Sequence, residues 1–240
     1  MQNVFALILF PVVVSAVYYD PYENDMRISS PPTTYDLRRS GRVFPPLNQK
    51  ECKSCYVHAV ATILEYWAGS PLSHQYILDC SRNAKNRGCR RGGFMQSVLE
   101  WLHFRRIPID DDIEFTRSDS KCHIKNATKN VVVFDFDSFR GEKHLDNVIW
   151  TSGPVATDVY LTNELQTWHG GGIMKPSQCG ILKGQKHSVA IVGYGPDYWL
   201  IKNSWGTNWA DNGYAKLQRG TSTCGIGKEN FYIHNAGITT

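Results

Sequence analysis

The chain has 240 residues, seven cysteines, 42% hydrophobic residues and a formal net charge of +4 at pH 7. That apolar content is enough for one medium domain or two small lobes. The basic residues are scattered along the sequence, which argues against a nucleic-acid-binding surface and for an ordinary solvated one.

Residues 4–14 form an apolar run that ends at Ser15-Ala16. It is too short to span a bilayer and has the length of a secretory signal core, so cleavage after Ala16 and a signal segment 1–16 are expected. Residues 17–31 carry Asp20, Glu23 and Asp25 and close on Pro31-Pro32, which reads as a short pro-segment. No later stretch is apolar enough to cross a membrane. The odd cysteine count leaves one thiol over after six pair, as in an exported thiol enzyme. Asn126-Ala127-Thr128 is a glycosylation sequon, usable at Asn126 on the secretory route.

A polar loop, Asn48-Gln49-Lys50-Glu51-Cys52-Lys53-Ser54, runs into Cys55 and then a helical pattern. Val57, Val60, Ala61 and Leu64 recur at steps of three and four and give that helix an apolar face. Cys55 falls in its first turn, where the positive end of the helix dipole favours thiolate, the nucleophilic form. Cys52 and Cys55 also make a Cys-x-x-Cys spacing with His58 beyond it. A zinc site would need a second compact Cys/His pair, and a redox motif would need a βαβ context; neither follows.

Further on, Ser73 is a candidate N-cap for a helix from His74, residues 82–93 read as a basic glycine-containing loop, and helical spacing returns through Met95, Val98, Leu99 and Leu102. From residue 131 the pattern changes to strands: Val131 to Phe134, Val155 to Val159, Ser188 to Val192 and Tyr198 to Ile201. Helices followed by strands predict an α+β protein, a helical lobe beside a β-rich lobe.

Cys52-Lys53-Ser54-Cys55-Tyr56 resembles the nucleophile signature of the papain-like cysteine proteases, with Lys53 where that family has glycine. His187-Ser188-Val189-Ala190-Ile191-Val192-Gly193-Tyr194-Gly195, which opens 132 residues after Cys55, resembles the family's histidine motif. Sixteen residues on, Lys202-Asn203-Ser204-Trp205-Gly206 resembles its asparagine motif. The segment from Thr33 to Gln49, with Tyr35-Asp36-Leu37-Arg38, is similar to the family's mature amino terminus.

The resemblance implies a papain-like two-lobed fold with the cleft between the lobes. The peptidase domain would span 32–240, its helical lobe about 43–130 and its β-rich lobe about 131–240 plus 32–42. It implies Cys55 as nucleophile, His187 as base, Asn203 as orienter of the imidazole, Gln49 as oxyanion donor and Trp205 as shield of the His187–Asn203 bond. It implies three bridges, Cys52–Cys89, Cys80–Cys122 and Cys179–Cys224. Gly92, Gly93 and Phe94 would form the substrate-binding wall, although Cys89-Arg90-Arg91-Gly92-Gly93 carries one residue more than the family's usual spacing. Glu229 would lie at the floor, and Asp158 near the wall, of the pocket for the second residue before the cut. As solvent-facing carboxylates, both would have no such part.

The expected activity is endopeptidase hydrolysis through an acyl-enzyme, without metal or cofactor, by a monomer on the secretory route, extracellular or in a lysosome- or vacuole-like compartment. Peptides or proteins would be substrates, cystatin-type proteins inhibitors; neither nucleic acid nor, after signal cleavage, a membrane is an expected partner. Only residues 17–31 stand where relatives carry a long inhibitory propeptide. Two alternatives remain open: an exopeptidase, echoed by Tyr56 and His58, and an inactive protease fold that binds without cutting.

Overall fold

In the computed structural model residues 30–109, 114–123 and 127–240 are described. The expected signal segment, nearly all of the expected pro-segment, and the sequon residue Asn126 lie outside them.

Helix α1 (Cys55–Ala68) is the element on which the others pack. The sequence predicts one apolar face, but every residue from Tyr56 to Glu65 is buried. A helix enclosed on all sides belongs to the middle of a fold. Gly69, at φ +64°, ends it in the left-handed conformation, its N–H bonded to the Glu65 carbonyl. Around α1 pack α2 (His74–Cys80), capped by the Ser73 side chain as predicted, α3 (Gly88–Arg91) and α4 (Met95–Leu102).

Helix α3 is a turn inside residues 82–93, which the sequence predicts to be loop throughout. Its Cys89 N–H donates to Asp119 Oδ1 at 2.7 Å, a partner 30 residues away. Gly88 sits at φ +72°, where any side chain would overlap the Asp119 carboxylate.

The described strands are β1 (Tyr35–Asp36), β2 (Arg106–Pro108), β3 (Asn130–Phe139), β4 (Val155–Tyr160), β5 (Ile173–Met174), β6 (Lys186–Tyr194), β7 (Tyr198–Lys202), β8 (Tyr214–Gln218) and β9 (Asn230–Thr239). They form one sheet in the order β2-β3-β9-β4-β6-β7-β8-β5, with β1 on β6. All pairs are antiparallel except β5–β8. Helices α5 (Leu145–Ser152) and α6 (Asn163–Gln166) interrupt the half of the chain that the sequence reads as strands alone.

Two large apolar cores result among the described residues, beside a small cluster of Ala190, Val192, Leu200 and Tyr214. One is built on α1, α2 and α4; the other joins α5 to β4, β6, β7 and β8 through Ile149, Val155, Ile191, Ile201 and Leu217. The cores do not divide the sequence at residue 130, because Val131, Val133, Ala156, Phe231 and Ile233 pack into the α1 core. Strand β9 serves both: Phe231 and Ile233 point to the α1 core, while Tyr232 between them packs on the other. Alternation along a strand makes this possible.

Candidate active site

Cys55 is the first residue of α1 and the one free cysteine of the chain. The Cys52–Cys89 bridge fixes the loop before it, and Lys53 N–H donates to the Cys89 carbonyl at 2.9 Å. Cys52 is therefore tied to Cys89 and not to Cys55, which removes the redox reading of the Cys-x-x-Cys spacing. The other bridges are Cys80–Cys122 and Cys179–Cys224.

Strand β6 packs on α1 and carries His187 near its start. Antiparallel pairing of β6 with β7, Ala190 opposite Lys202, brings the residues after Lys202 alongside His187. His187 Nε2 lies 2.7 Å from Asn203 Oδ1, which also accepts from the Ser204 N–H at 2.7 Å. A carbonyl oxygen only accepts, so Nε2 carries the proton and Nδ1 keeps its lone pair. Trp205 stacks on the imidazole, with ring centroids 4.6 Å apart and 25° between planes, and Trp209 meets Trp205 edge-on. Both His187 and Asn203 are buried.

An isolated bridge between Asn48 and Trp205 brings the Gln49 loop to the Asn203 loop. Gln49 is buried; its Nε2 donates to the Cys52 carbonyl at 2.8 Å, and its Oε1 accepts from Ser204 Oγ at 2.5 Å. One of the two N–H groups on Nε2 is left over for another acceptor.

Burial dominates the electrostatics. It pushes the Cys55 thiol up; the Ser188 backbone and hydroxyl and the Tyr56 backbone pull it back, and Asp158 adds to the rise. His187 falls to about 4, again through burial, with the Asn203 bond and Asp158 opposing. The helix start was expected to favour thiolate at Cys55; burial acts against that dipole and pushes the thiol up. Moving the proton from sulfur to imidazole changes no net charge.

The cleft beside Cys55 has a volume of about 640 Å³, and its lining joins Gly92, Gly93 and Phe94 to Asp158, Ser188 and Glu229, which are distant in sequence. Gly92, at φ +72°, and Gly93 leave the backbone bare; a side chain at Gly93 would overlap Asn86 and Tyr56. Buried Asn86 holds this wall, its Oδ1 accepting from Phe94 N–H at 2.9 Å. Asp158 accepts from Ser188 Oγ at 2.8 Å and pairs with Lys186 at 3.5 Å; burial first, and Glu229 last, raise its carboxyl. Glu229 is half-buried in the same cleft.

Sequence reasoning missed Ser188, Asn86 and Lys186. It also missed a buried polar chain behind the site: His58 Nδ1 lies 2.6 Å from His74 Nδ1, His74 Nε2 3.0 Å from Glu65 Oε1, and Lys202 Nζ 3.7 Å from Glu65 Oε2. The spacing of His58 and Glu65, seven residues and so one face of a helix, was the one available signal.

The sequence profile of the papain family cysteine proteases matches residues 31–234. The chain belongs to that family. It is 32% identical over 223 residues to a cathepsin L-like proteinase of Phaedon cochleariae, covering 87% of this chain and 67% of that one. With human cathepsin L2 it shares 30% identity over 213 residues, 81% of this chain and 63% of that one. Among solved structures, digestive procathepsin L 3 of the Tenebrio molitor larval midgut superposes with a TM-score of 0.77 at 26% identity, covering 87% of this chain and 72% of that one. The Carica candamarcensis cysteine protease CMS1MS2, solved in complex with E-64, gives 0.71 at 28% identity, covering 85% and 99%. The chain is thus a papain family peptidase with the family's α+β fold. No described helix is long and apolar enough to cross a membrane.

Proposed function

We propose that the chain is a cysteine endopeptidase with Cys55 as its nucleophile. The observation that carries this reading is the Nε2-protonated His187, held by Asn203 at 2.7 Å, on the strand beside the one free thiol. Cys55 Sγ attacks the peptide carbonyl as His187 Nδ1 takes the thiol proton. The free N–H of Gln49 and the Cys55 backbone N–H receive the oxygen charge, the C–N bond breaks, and His187 protonates the leaving amine. Water, deprotonated by His187, then cleaves the thioester and releases the acid.

Residues 32–240 are the peptidase domain in this reading, with 1–16 a signal and 17–31 a short pro-segment. Three disulfides support an oxidising route, extracellular or lysosome- or vacuole-like. His58 supports endo- over exopeptidase action, since its ring is buried against His74 and Phe115 and is no part of the cleft lining. Cys55→Ala should abolish cleavage of end-blocked peptides and labelling by a thiol-directed epoxide. Retained turnover in that variant would remove Cys55 from its role. Loss of cleavage only when peptides are end-blocked would make the enzyme an exopeptidase.

In the cleft Asp158 is occupied by Ser188 and Lys186, which leaves Glu229 as the carboxylate free to meet a substrate cation. Arginine at the second position before the cut should gain about tenfold over leucine, the lower range for a charged hydrogen bond offset by desolvation. Glu229→Gln should erase that ratio. An unchanged ratio would place Glu229 outside the pocket.

A further inference from the structure

The basic residues that look scattered in the sequence gather in the fold. Behind the Cys52–Cys89 bridge lies a cavity of about 1050 Å³ whose lining holds Arg82, Arg87, Arg90, Arg91, Arg117 and Lys121. All six are exposed. Asp119 is the carboxylate in that lining, and it is engaged by the Cys89 N–H. Among the described residues no carboxylate comes within ion-pairing distance of any of the six. Two of them are instead steadied by carbonyls: Arg82 donates to the Ser120 carbonyl at 3.1 Å and Arg117 to the Asn48 carbonyl at 2.9 Å. A carbonyl orients a guanidinium without cancelling its charge. The pocket therefore gathers six cations, two of them positioned by carbonyls, against the one carboxylate of Asp119, and like charges so grouped favour an anion.

The cavity and the cleft adjoin at one residue. Arg91 lines both, and Lys53 and Lys85 extend the positive charge along the Gly92–Gly93 wall toward Cys55. The residue that lengthens the Cys89 to Gly92 segment is taken up by helix α3, which places Arg90 and Arg91 at this junction. We propose that the arginine cavity is an exosite for an acidic stretch of the polypeptide substrate, lying on one flank of the bond to be cut. The proposal rests on the reading of the cleft as a peptidase site. The shared border at Arg91 favours a substrate chain over a free polyanion, because a ligand that fills the cavity extends toward Cys55.

The test compares three end-blocked peptides with one common cleavable core: one extended by three glutamates on the amino side, one by the same on the carboxyl side, and one by Gly-Ser. For wild type, one glutamate extension and not the other should raise kcat/KM about tenfold over Gly-Ser, and high salt should remove the gain. In the double variant Arg82→Gln, Arg87→Gln the gain should vanish while the Gly-Ser peptide is cut at the wild-type rate, which also reports an intact fold. Equal gain on both flanks, no gain, or a gain that survives the double variant would overturn the exosite. A heparin-like oligosaccharide that binds through Arg82 and Arg87 while glutamate extension does nothing would reassign the cavity to a sulfated sugar. A protein that cuts none of the three fails as a peptidase and takes the exosite with it, an outcome distinct from cutting all three equally.

Discussion

Ser204 Oγ donates to Gln49 Oε1 at 2.5 Å and so joins the proposed oxyanion residue to the loop that holds Asn203. With Nε2 anchored on the Cys52 carbonyl, both ends of the Gln49 amide are fixed before any substrate arrives. Preorganised donors contribute most when they need no reorientation during the reaction.

Ser204→Ala should therefore lower kcat about tenfold on a blocked peptide with little change in KM, and Ser204→Thr should restore most of it. Gln49→Ala should cost more, on the order of 10²–10³. If Ser204→Ala raised KM alone, its hydroxyl would be serving substrate binding and not Gln49.

The pH–rate profile should be a broad bell. The proposed pair would hold one proton between Cys55 and His187, so the acid limb would mark a second proton entering and the alkaline limb the pair losing its own. Burial puts the acid limb near 4 and the alkaline limb above the ordinary thiol value of 9.0. Asn203→Ala removes a bond that raises His187, so the acid limb should move lower still while kcat drops. An acid limb near 6.5 would mean that His187 is open to water.

Stability should fall on mild acidification. His187 is held at about 4 and His58 well below 6.5, in both cases chiefly by burial. His187 stays neutral in the fold at pH 5, and His58 resists protonation relative to the unfolded chain, which takes up both protons as pH drops below 6.5. Their contribution is complete above that value; that of His187 is lost as pH falls toward 4, about 3 kcal/mol, and that of His58 as pH falls through its folded value. Glu65 acts in the same direction lower down: burial would raise it, but His74 and Lys202 hold it below 4.5, a gain lost as pH falls through its folded value. The urea midpoint should be clearly lower at pH 5 than at pH 7 with an unchanged slope. An equal midpoint would contradict the burial of these rings.

Lys202 Nζ and Glu65 Oε2 face each other inside the fold, and Lys202 directly precedes Asn203. Glu65→Gln should destabilise by about 3–5 kcal/mol, since a buried ammonium is left unpaired. Glu65→Leu with Lys202→Met should recover only part of that loss, because His74 Nε2 and the Leu72 N–H then lose their acceptor. A single variant as stable as wild type in denaturant titration would show that water reaches Lys202.

How much of this was legible depended on the range of the interactions. Val57, Val60, Ala61 and Leu64 disclosed α1 because helical period is local, and Ser73 disclosed the start of α2 for the same reason. The order of Cys55, His187 and Asn203 pointed to the proposed site through motifs, although the closeness of His187 to Asn203 arises from the β6–β7 register. Helix α3 was hidden because its four residues Gly-Cys-Arg-Arg have no period, and its anchor, Asp119, is distant in sequence. At the start of strand β9 Phe231 and Ile233 face one core and Tyr232 the other, so no polar alternation marks it there. The upward push on the Cys55 thiol was not legible because a sequence displays the helix start but not the desolvation that opposes it.

Strand β9, with neighbouring side chains seated in both apolar cores, has a mechanical consequence. A hinge between the lobes would have to pull Phe231 and Ile233 out of one core or Tyr232 out of the other. The cleft width is then fixed, and the enzyme has no jaw to close on its prey. Adaptation falls to the substrate, which must present an already extended, unfolded segment to be cut. Folded proteins would be attacked only at the rate at which they locally open, so their own stability, more than any sequence preference, would rank them as targets.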